Sequence, residues 1–310
     1  CTVYKKLKTN LFDKRIIIVK PRLLVVSPDG TVNGHFCNCL GDTYCPVIVQ
    51  RKNLIPENRI AITHDDILLD GESVLRDVAA AVILDSGYMW PQLITIPDSR
   101  QWDKWKDRFD EYLRNEREER SMWFSILHII TESVPLCINP QRVYELAAFK
   151  PYVLQLLQQA GVESAPLYCG NDRDRAIEWA LKSGGILKRV PTSDLPDGSF
   201  FSIQKLKSLD FSVRPLSFQT LPTDKLVTII AVGATIIPIE PVSEAAVDLD
   251  TTVKEIQKTL GAPMLALQFT DNEERPLVDI DPSPNSIFSD NRLTELYFMA
   301  LDTFMKSWEV

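Results

Sequence analysis

Apolar and polar positions along the chain fall into short β-branched runs alternating with stretches of helical period. Residues 15–26 (RIIIVKPRLLVV) are followed by SPDGTVNG, which predicts a strand and then a hairpin. Residues 60–69 and 79–84 read as further strands, with Asp65, Asp66, Asp70 and Gly71 marking turns between them. From 98 to 130 the period changes to that of a long helix, capped by Asp98 or Ser99. Trp102, Trp105, Phe109 and Tyr112 form an aromatic stripe on it, and mixed charges such as Asp103, Lys106, Glu111 and Arg114 form a solvated face. VPLCIN (134–139) predicts a short buried strand, and 140–160 a helix that ends at Gly161. A strand (164–168), a helix (172–183), a strand (185–190) and a loop (191–198) follow. Residues 226–239 hold one or two strands around Val232-Gly233-Ala234. A helix (251–260), paired strands (264–269 and 276–280) and a closing helix (291–306) complete the pattern. Such alternation implies an α/β or α+β chain.

Composition narrows the function classes. Among 310 residues, 34 Lys plus Arg stand against 42 Asp plus Glu, a formal net charge of −8, which argues against an extended duplex nucleic-acid surface. The longest apolar run, 227–239, is interrupted by Thr228, Gly233, Thr235 and Pro238 and is too short for a membrane helix, so neither nucleic acid nor a membrane is expected as a partner. No secretory signal opens the chain, which starts at Cys1, and six cysteines are too few for a disulfide scaffold. The expectation is a cytoplasmic protein with mostly free thiols. His35, Cys37, Cys39 and Cys45 cluster in GHFCNCLGDTYC and could ligate zinc, but no second Cys pair matches them. Small thiols on a strand and turn are the default reading.

Several positions carry the residue types that a magnesium nucleotide requires: cations for phosphates, an apolar slot with free backbone groups for a purine, and hard oxygen ligands for Mg²⁺. Lys150 and Lys188 could supply the cations. Phe218, Gln219 and Leu221 could form the purine slot, with Asp224 near a ribose. Asp279 and Asp281 alternate along one predicted strand, so both carboxylates face the same side, as two metal ligands should. The ordinary alternatives are a solvated lysine on a helix and an exposed acidic strand face.

Read in order, residues 60–310 resemble the ATP-grasp superfamily, nearest to the carboxylate–amine ligases of the ribosomal-protein glutamate ligase and peptide-macrocyclase type. The resemblance lies in CINPQRVYELAAFKPYVLQLLQQAGVESAPLY, with Asn139, Lys150, Gly161 and Pro166 in the corresponding places, and in GGILKRV, with Lys188. RPLSFQTLPTD (214–224) resembles the adenine hinge, LVTIIAVGATIIPI the strand pair after it, and MLALQFTDNEERPLVDIDPSPN the metal-bearing strands. This implies an ATP-grasp fold: an N-terminal α/β domain (1–134) and two α+β subdomains (135–217 and 218–310) that sandwich ATP and Mg²⁺.

Three departures stand out. Only Gly198 lies between Arg189 and Phe218, where the family has a glycine-rich lid. Thr228 falls where an arginine is usual. Gln268 falls at the first metal carboxylate, and Asp281 at the usual asparagine. Arg214 is the candidate to supply missing positive charge, with Arg189 and Arg275 as alternatives. The resemblance implies a ligase that activates a carboxylate as an acyl phosphate and joins it to an amine. The alternative is a degenerate ATP-grasp scaffold that binds a peptide or protein partner. Expected partners are a nucleotide and an amino-acid or peptide substrate met around Tyr88, Met89, Trp90 and Asn285, with homodimerisation left open.

Overall fold

The structure, a computed structural model, describes residues 2–5, 16–27, 34–50, 59–64, 66–84, 106–190, 200–209, 216–223, 225–239, 249–272, 274–283 and 285–308. The first half contains β1 (Thr2–Lys5), β2 (Ile16–Val19), β3 (Arg22–Ser27), α1 (Gly34–Thr43), β4 (Cys45–Gln50), β5 (Ile60–Ile62), β6 (Ile67–Leu69), β7 (Glu72–Ser73), β8 (Val78–Ile83), α2 (Phe109–Ser133) and β9 (Leu136–Ile138). Then come α3 (Gln141–Ala148), α4 (Lys150–Gln159), β10 (Leu167–Gly170), α5 (Arg173–Ser183), β11 (Ile186–Arg189), β12 (Phe200–Phe201), α6 (Ile203–Ser208) and β13 (Leu216–Leu221). The last third is β14 (Leu226–Val232), β15 (Thr235–Pro238), α7 (Asp250–Leu260), β16 (Met264–Thr270), β17 (Leu277–Asp281) and α8 (Asn291–Trp308).

Contacts group the chain into two units: residues 1–87, 117–140 and 285–310, and residues 88–116 and 141–284. The closing helix therefore belongs with the N-terminal residues, although the expected boundaries set 218–310 together.

In the first unit, β4, β3, β8 and β9 form a parallel sheet in that order. Leu23 to Val26 and Ala81 to Leu84 are buried on both faces, which suits parallel strands. The expected hairpin after residue 26 is not formed: β3 and β4 run parallel, and parallel strands need a crossover, here α1. Gly and Asn disguise that helix in the sequence, but Phe36 and Leu40 bury at i,i+4, and Phe36 packs on Phe288 and on Tyr297 of α8. The hydroxyl of Tyr44 donates to Asp302 at 2.8 Å. From Arg117 on, α2 also belongs to this unit. It buries Trp123, Ile126, Leu127 and Ile130 at helical spacing. Trp102 and Trp105 of the expected aromatic stripe lie outside the described residues.

The second unit holds two four-stranded antiparallel sheets, β10-β13-β11-β12 and β15-β14-β16-β17. The helix expected over 140–160 is two helices. Pro151 has no amide hydrogen, and inside a continuous helix its ring would clash with the carbonyl four residues back. The chain therefore leaves helical geometry at Phe149 (φ −95°, ψ 57°) and restarts at Lys150. Val153, Leu154 and Leu157 of α4 and Val253, Ile256 and Leu260 of α7 cover one face of the second sheet, against Ile229, Ala231, Leu265 and Leu267. Residues 163–165 run beside β17: Ala165 donates to the Leu277 carbonyl, and Leu277 to that of Glu163, both at 2.9 Å.

Gly185 fixes the start of β11. Its φ is +85°, and a Cβ there would fall on the Leu221 carbonyl oxygen of β13, closer than van der Waals contact allows. Gly185→Ala combines a left-handed backbone with a backbone clash, so it should destabilise the chain by about 2–4 kcal/mol, read as a lower midpoint in urea unfolding.

Candidate functional site

One face of the second sheet of unit two is oily, and a row of polar side chains crosses part of the other. Period two sends Val227, Ile229 and Ala231, with Leu265 and Leu267, into the core, so Thr228 and Gln268 face the other way. Register then aligns three strands: Thr228 lies opposite Gln268, and Gln268 opposite Asp279. The amide nitrogen of Gln268 approaches the Thr228 hydroxyl at 3.5 Å. A register shift follows, Phe269 pairing with Leu277, so Val278 sits in a bulge. Bulges re-aim a strand, and here the Val278 carbonyl accepts from the side chain of Gln219 at 3.1 Å, which ties β17 to β13.

Lys150 reaches this row from the first residue of α4. Its ammonium lies 2.5 Å from Oδ1 of Asp279 and also donates to the carbonyl of Ile280. The two partners are 129 residues apart in the chain. Both are largely enclosed, at 17% and 24% side-chain exposure, so the pair is partly desolvated and worth more than a surface bridge. The same Oδ1 accepts from the Ile280 amide at 2.8 Å. Asp281, two residues on and on the same side, is exposed, and its Oδ1 accepts from the Ser283 amide at 2.7 Å.

Lys188 is the third member. It sits in β11 opposite Gln219 of β13 and is only 4% exposed. Burial pushes its pKa below the ordinary lysine value. The Asp279 carboxylate opposes that shift, and the Lys150 ammonium adds to it. One ammonium thus pairs with the carboxylate directly and a second feels it through space, an arrangement that favours a further anion. Gln219 is fully buried. Its nitrogen is bonded to Val278, while its oxygen is a buried acceptor with no partner among the described residues. Such an orphan suits a ligand that brings a hydrogen-bond donor.

The three expected slot residues do not share a face. Gln219 and Leu221 point toward β17, and Leu221 packs on Ala165 and Val278. Phe218 points the opposite way, its ring 5.3 Å from Tyr168, 5.5 Å from Trp179 and 5.7 Å from Phe201. Alternation along β13 carries this signal in the sequence, since neighbours in a strand cannot both line one slot. Arg214, Asp224, Tyr88, Met89 and Trp90 lie outside the described residues. Asn285 opens a 3₁₀ turn, Asn285–Ser289. Arg189 ends β11, and Arg275 precedes β17 at φ +45°.

The cysteine cluster is not arranged as a zinc site. His35, Cys37 and Cys39 lie on α1 rather than on a strand and turn, and Cys45 begins β4. The imidazole of His35 lies 3.2 Å from Glu295 and 3.9 Å from the Cys39 sulfur. Burial raises the thiol pKa at Cys37 and Cys39, and Glu295 and Asp42 raise that of Cys39 further, so neither is a ready thiolate ligand. Among the described residues no three His, Cys, Asp or Glu side chains converge on a metal position, and Cys37, Cys39, Cys45, Cys137 and Cys169 are free thiols. No described helix is long and apolar enough to cross a membrane.

Magnesium takes one or two carboxylates and completes its shell with water or phosphate oxygens. Asp279 and Asp281, on one side of β17 beside the Gln268 amide, fit that requirement without a third carboxylate.

Solved structures place this architecture. The ATP-grasp ligase PsnB, complexed with precursor peptide PsnA2 and AMPPNP, superposes with a TM-score of 0.72 at 16% identity, over 94% of this chain and all of that one. A RiPP-associated ATP-grasp ligase of Chryseobacterium gregarium, bound to ADP and a leader and core peptide, gives 0.66 at 14%, over 92% and 96%. Macrocyclase MdnC of Microcystis aeruginosa MRC, bound to precursor peptide MdnA, gives 0.63 at 15%, over 91% and 99%. No family model matches the chain, and no curated protein does. The fold is the ATP-grasp fold, as the sequence resemblance implied.

Proposed function

We propose, from the ATP-grasp fold and the site built on it, that the chain is an ATP-dependent ligase joining a carboxylate to an amine on a peptide. The observation that carries this reading is the bond of Lys150 to Asp279 beside the buried Lys188, whose charge both groups influence from a helix and a second sheet. Two cations near one carboxylate suit a polyphosphate, whose oxygens take charge-assisted hydrogen bonds. That the similar PsnB, MdnC and Chryseobacterium structures are complexes with peptides supports a peptide substrate here.

In this reading Lys188 holds the phosphates from a fixed strand position and Lys150 follows them as charge moves. Gln219 accepts a hydrogen bond from the purine, Leu221 lines the slot, and Phe218 braces the strand from behind. Asp224 holds the ribose. Asp279 and Asp281 would hold Mg²⁺, which would supply charge neutralisation at the phosphates. Arg214 supplies the positive charge that Thr228 does not. The substrate carboxylate attacks the terminal phosphorus of ATP and ADP leaves. The amine then attacks the acyl carbon of the acyl phosphate, and inorganic phosphate departs as the amide forms. Positioning and electrostatics carry the rate, with no protein nucleophile. The change of sheet between β13 and β14 is the hinge.

Millimolar ATP with Mg²⁺ should raise the melting midpoint by several degrees, since ligand at about a hundred times its Kd stabilises by about 2.7 kcal/mol. Short peptides should then release ADP and gain an amide visible by mass spectrometry. No midpoint shift at millimolar nucleotide would refute the ligase and leave a peptide-binding scaffold.

A further inference from the structure

We infer that Lys150 is a built-in counter-cation for Asp279, so that divalent metal and nucleotide must enter this site together. The inference rests on the nucleotide reading above and extends it to the order of binding.

The Lys150 ammonium takes two acceptors, Oδ1 of Asp279 and the Ile280 carbonyl. A metal arriving alone must displace that ammonium from the better-enclosed of the two candidate carboxylates. It would also have to settle beside Lys188, whose charge already bears on Asp279. Both effects oppose a free cation. Asp281, exposed and bonded to the Ser283 amide, offers little by itself. An incoming polyphosphate reverses the balance. Its oxygens offer Lys150 and Lys188 a stronger partner than one carboxylate, and Asp279, once released, would be free to hold a metal. Lys150 suits such a move. It lies in the first turn of α4, where unpaired amides make a cation unfavourable and an anion favourable. Coupling of this kind is reciprocal: whatever metal does for nucleotide, nucleotide does for metal. An empty site then carries its own cation, and free Mg²⁺ does not accumulate there.

The test titrates Mn²⁺ by electron paramagnetic resonance, with and without AMPPNP, on the full chain and on Lys150→Met, Lys150→Gln and Lys150→Arg. Without nucleotide, Lys150→Met and Lys150→Gln should bind Mn²⁺ at least tenfold more tightly than wild type, while Lys150→Arg stays as weak as wild type. AMPPNP should tighten Mn²⁺ in wild type by a larger factor than in either neutral variant. Equal Mn²⁺ affinity of wild type and both neutral variants without AMPPNP would overturn the inference while leaving nucleotide binding intact. Absence of AMPPNP binding to wild type at any Mn²⁺ concentration would instead overturn the nucleotide reading, whatever the variants do with metal alone. Two neutral variants guard against one that fails to fold, which a circular dichroism melt would reveal.

Discussion

Lys188→Met should bind ATP roughly a hundredfold more weakly than wild type and yet melt at a higher temperature. The loss follows from geometry. Lys188 is fixed by the ladder between β11 and β13, so its ammonium is already aimed and no flexible neighbour can replace it. A hydrogen bond between charged groups contributes about 1.5–3 kcal/mol, or about 10- to 150-fold in affinity. The gain follows from burial. At 4% exposure the ammonium is desolvated and its pKa is lowered, so the folded state binds that proton less readily than the unfolded chain does. The resulting cost is fully present below the folded pKa and fades as pH rises toward the ordinary lysine value. Met fills the same space without charge, and Lys150 still neutralises Asp279, so the variant should gain about 1 kcal/mol at neutral pH. That advantage should shrink as pH approaches 10 in parallel urea titrations. Lys188→Ala should lose affinity equally, and more than Lys150→Ala. Wild-type affinity in a Lys188 variant would sink the assignment.

Asp279→Asn should lose the metal-dependent part of nucleotide affinity, by about a hundredfold, and should also destabilise the fold. Its carboxylate does two jobs here. In the proposed reading it is the enclosed hard anion for a metal, and it is the partner of a part-buried ammonium 2.5 Å away. The amide keeps the volume and removes the charge, which leaves Lys150 with neutral acceptors only, the Asn oxygen and the Ile280 carbonyl. Breaking a fully buried pair costs about 3–5 kcal/mol; with both groups still partly exposed, about 1–2 kcal/mol is the fitting scale. Asp281→Asn should weaken metal-dependent binding less and leave the melting midpoint near wild type, because Asp281 is exposed and its bond to the Ser283 amide survives in an asparagine. Isothermal titration with ATP, with and without Mg²⁺, separates the two. Equal affinity with and without metal in wild type would show that neither aspartate is a ligand.

Much of this architecture was legible in residue pattern. Asp172 caps α5 through the Arg175 amide, Gly161 adopts φ +87° after α4, and Gly233 turns β14 into β15. All three are local signals, and the element ends they mark fall within a few residues of expectation, although the helix that closes at Gly161 starts ten residues late. What failed was non-local or masked by composition. Nothing in RLLVVS followed by turn residues tells a hairpin from a crossover; parallel pairing with β4 and β8 decides it. The acidic pair in VDID was visible as period two. That Lys150 would be bonded to one member of it, across 129 residues, was not. The polar row of Thr228, Gln268 and Asp279 lies between these cases. Thr228 and Gln268 stand out in the sequence as departures and Asp279 as a candidate metal ligand, but only the register of three strands makes them neighbours. Phe218 was open to correction from its own strand, because alternation with Gln219 assigns it to the opposite face.

The break before Pro151 has an evolutionary side. Residues 141–159 would be more helical, and by local propensity more stable, without the proline, so selection for stability alone would remove it. Removal would turn Lys150 from the opening residue of a helix into an interior one and swing its stem away from Asp279. Lys188 pulls the same way, since its charge costs the fold more than methionine would. Lys188 is thus held against the gradient of stability, while the break at Pro151 trades helix propensity for the Lys150–Asp279 pair, and drift at either position can empty the site. Telling a working homologue from a retired one therefore takes two positions, the residue after Lys150 and the buried lysine of β11, rather than overall similarity.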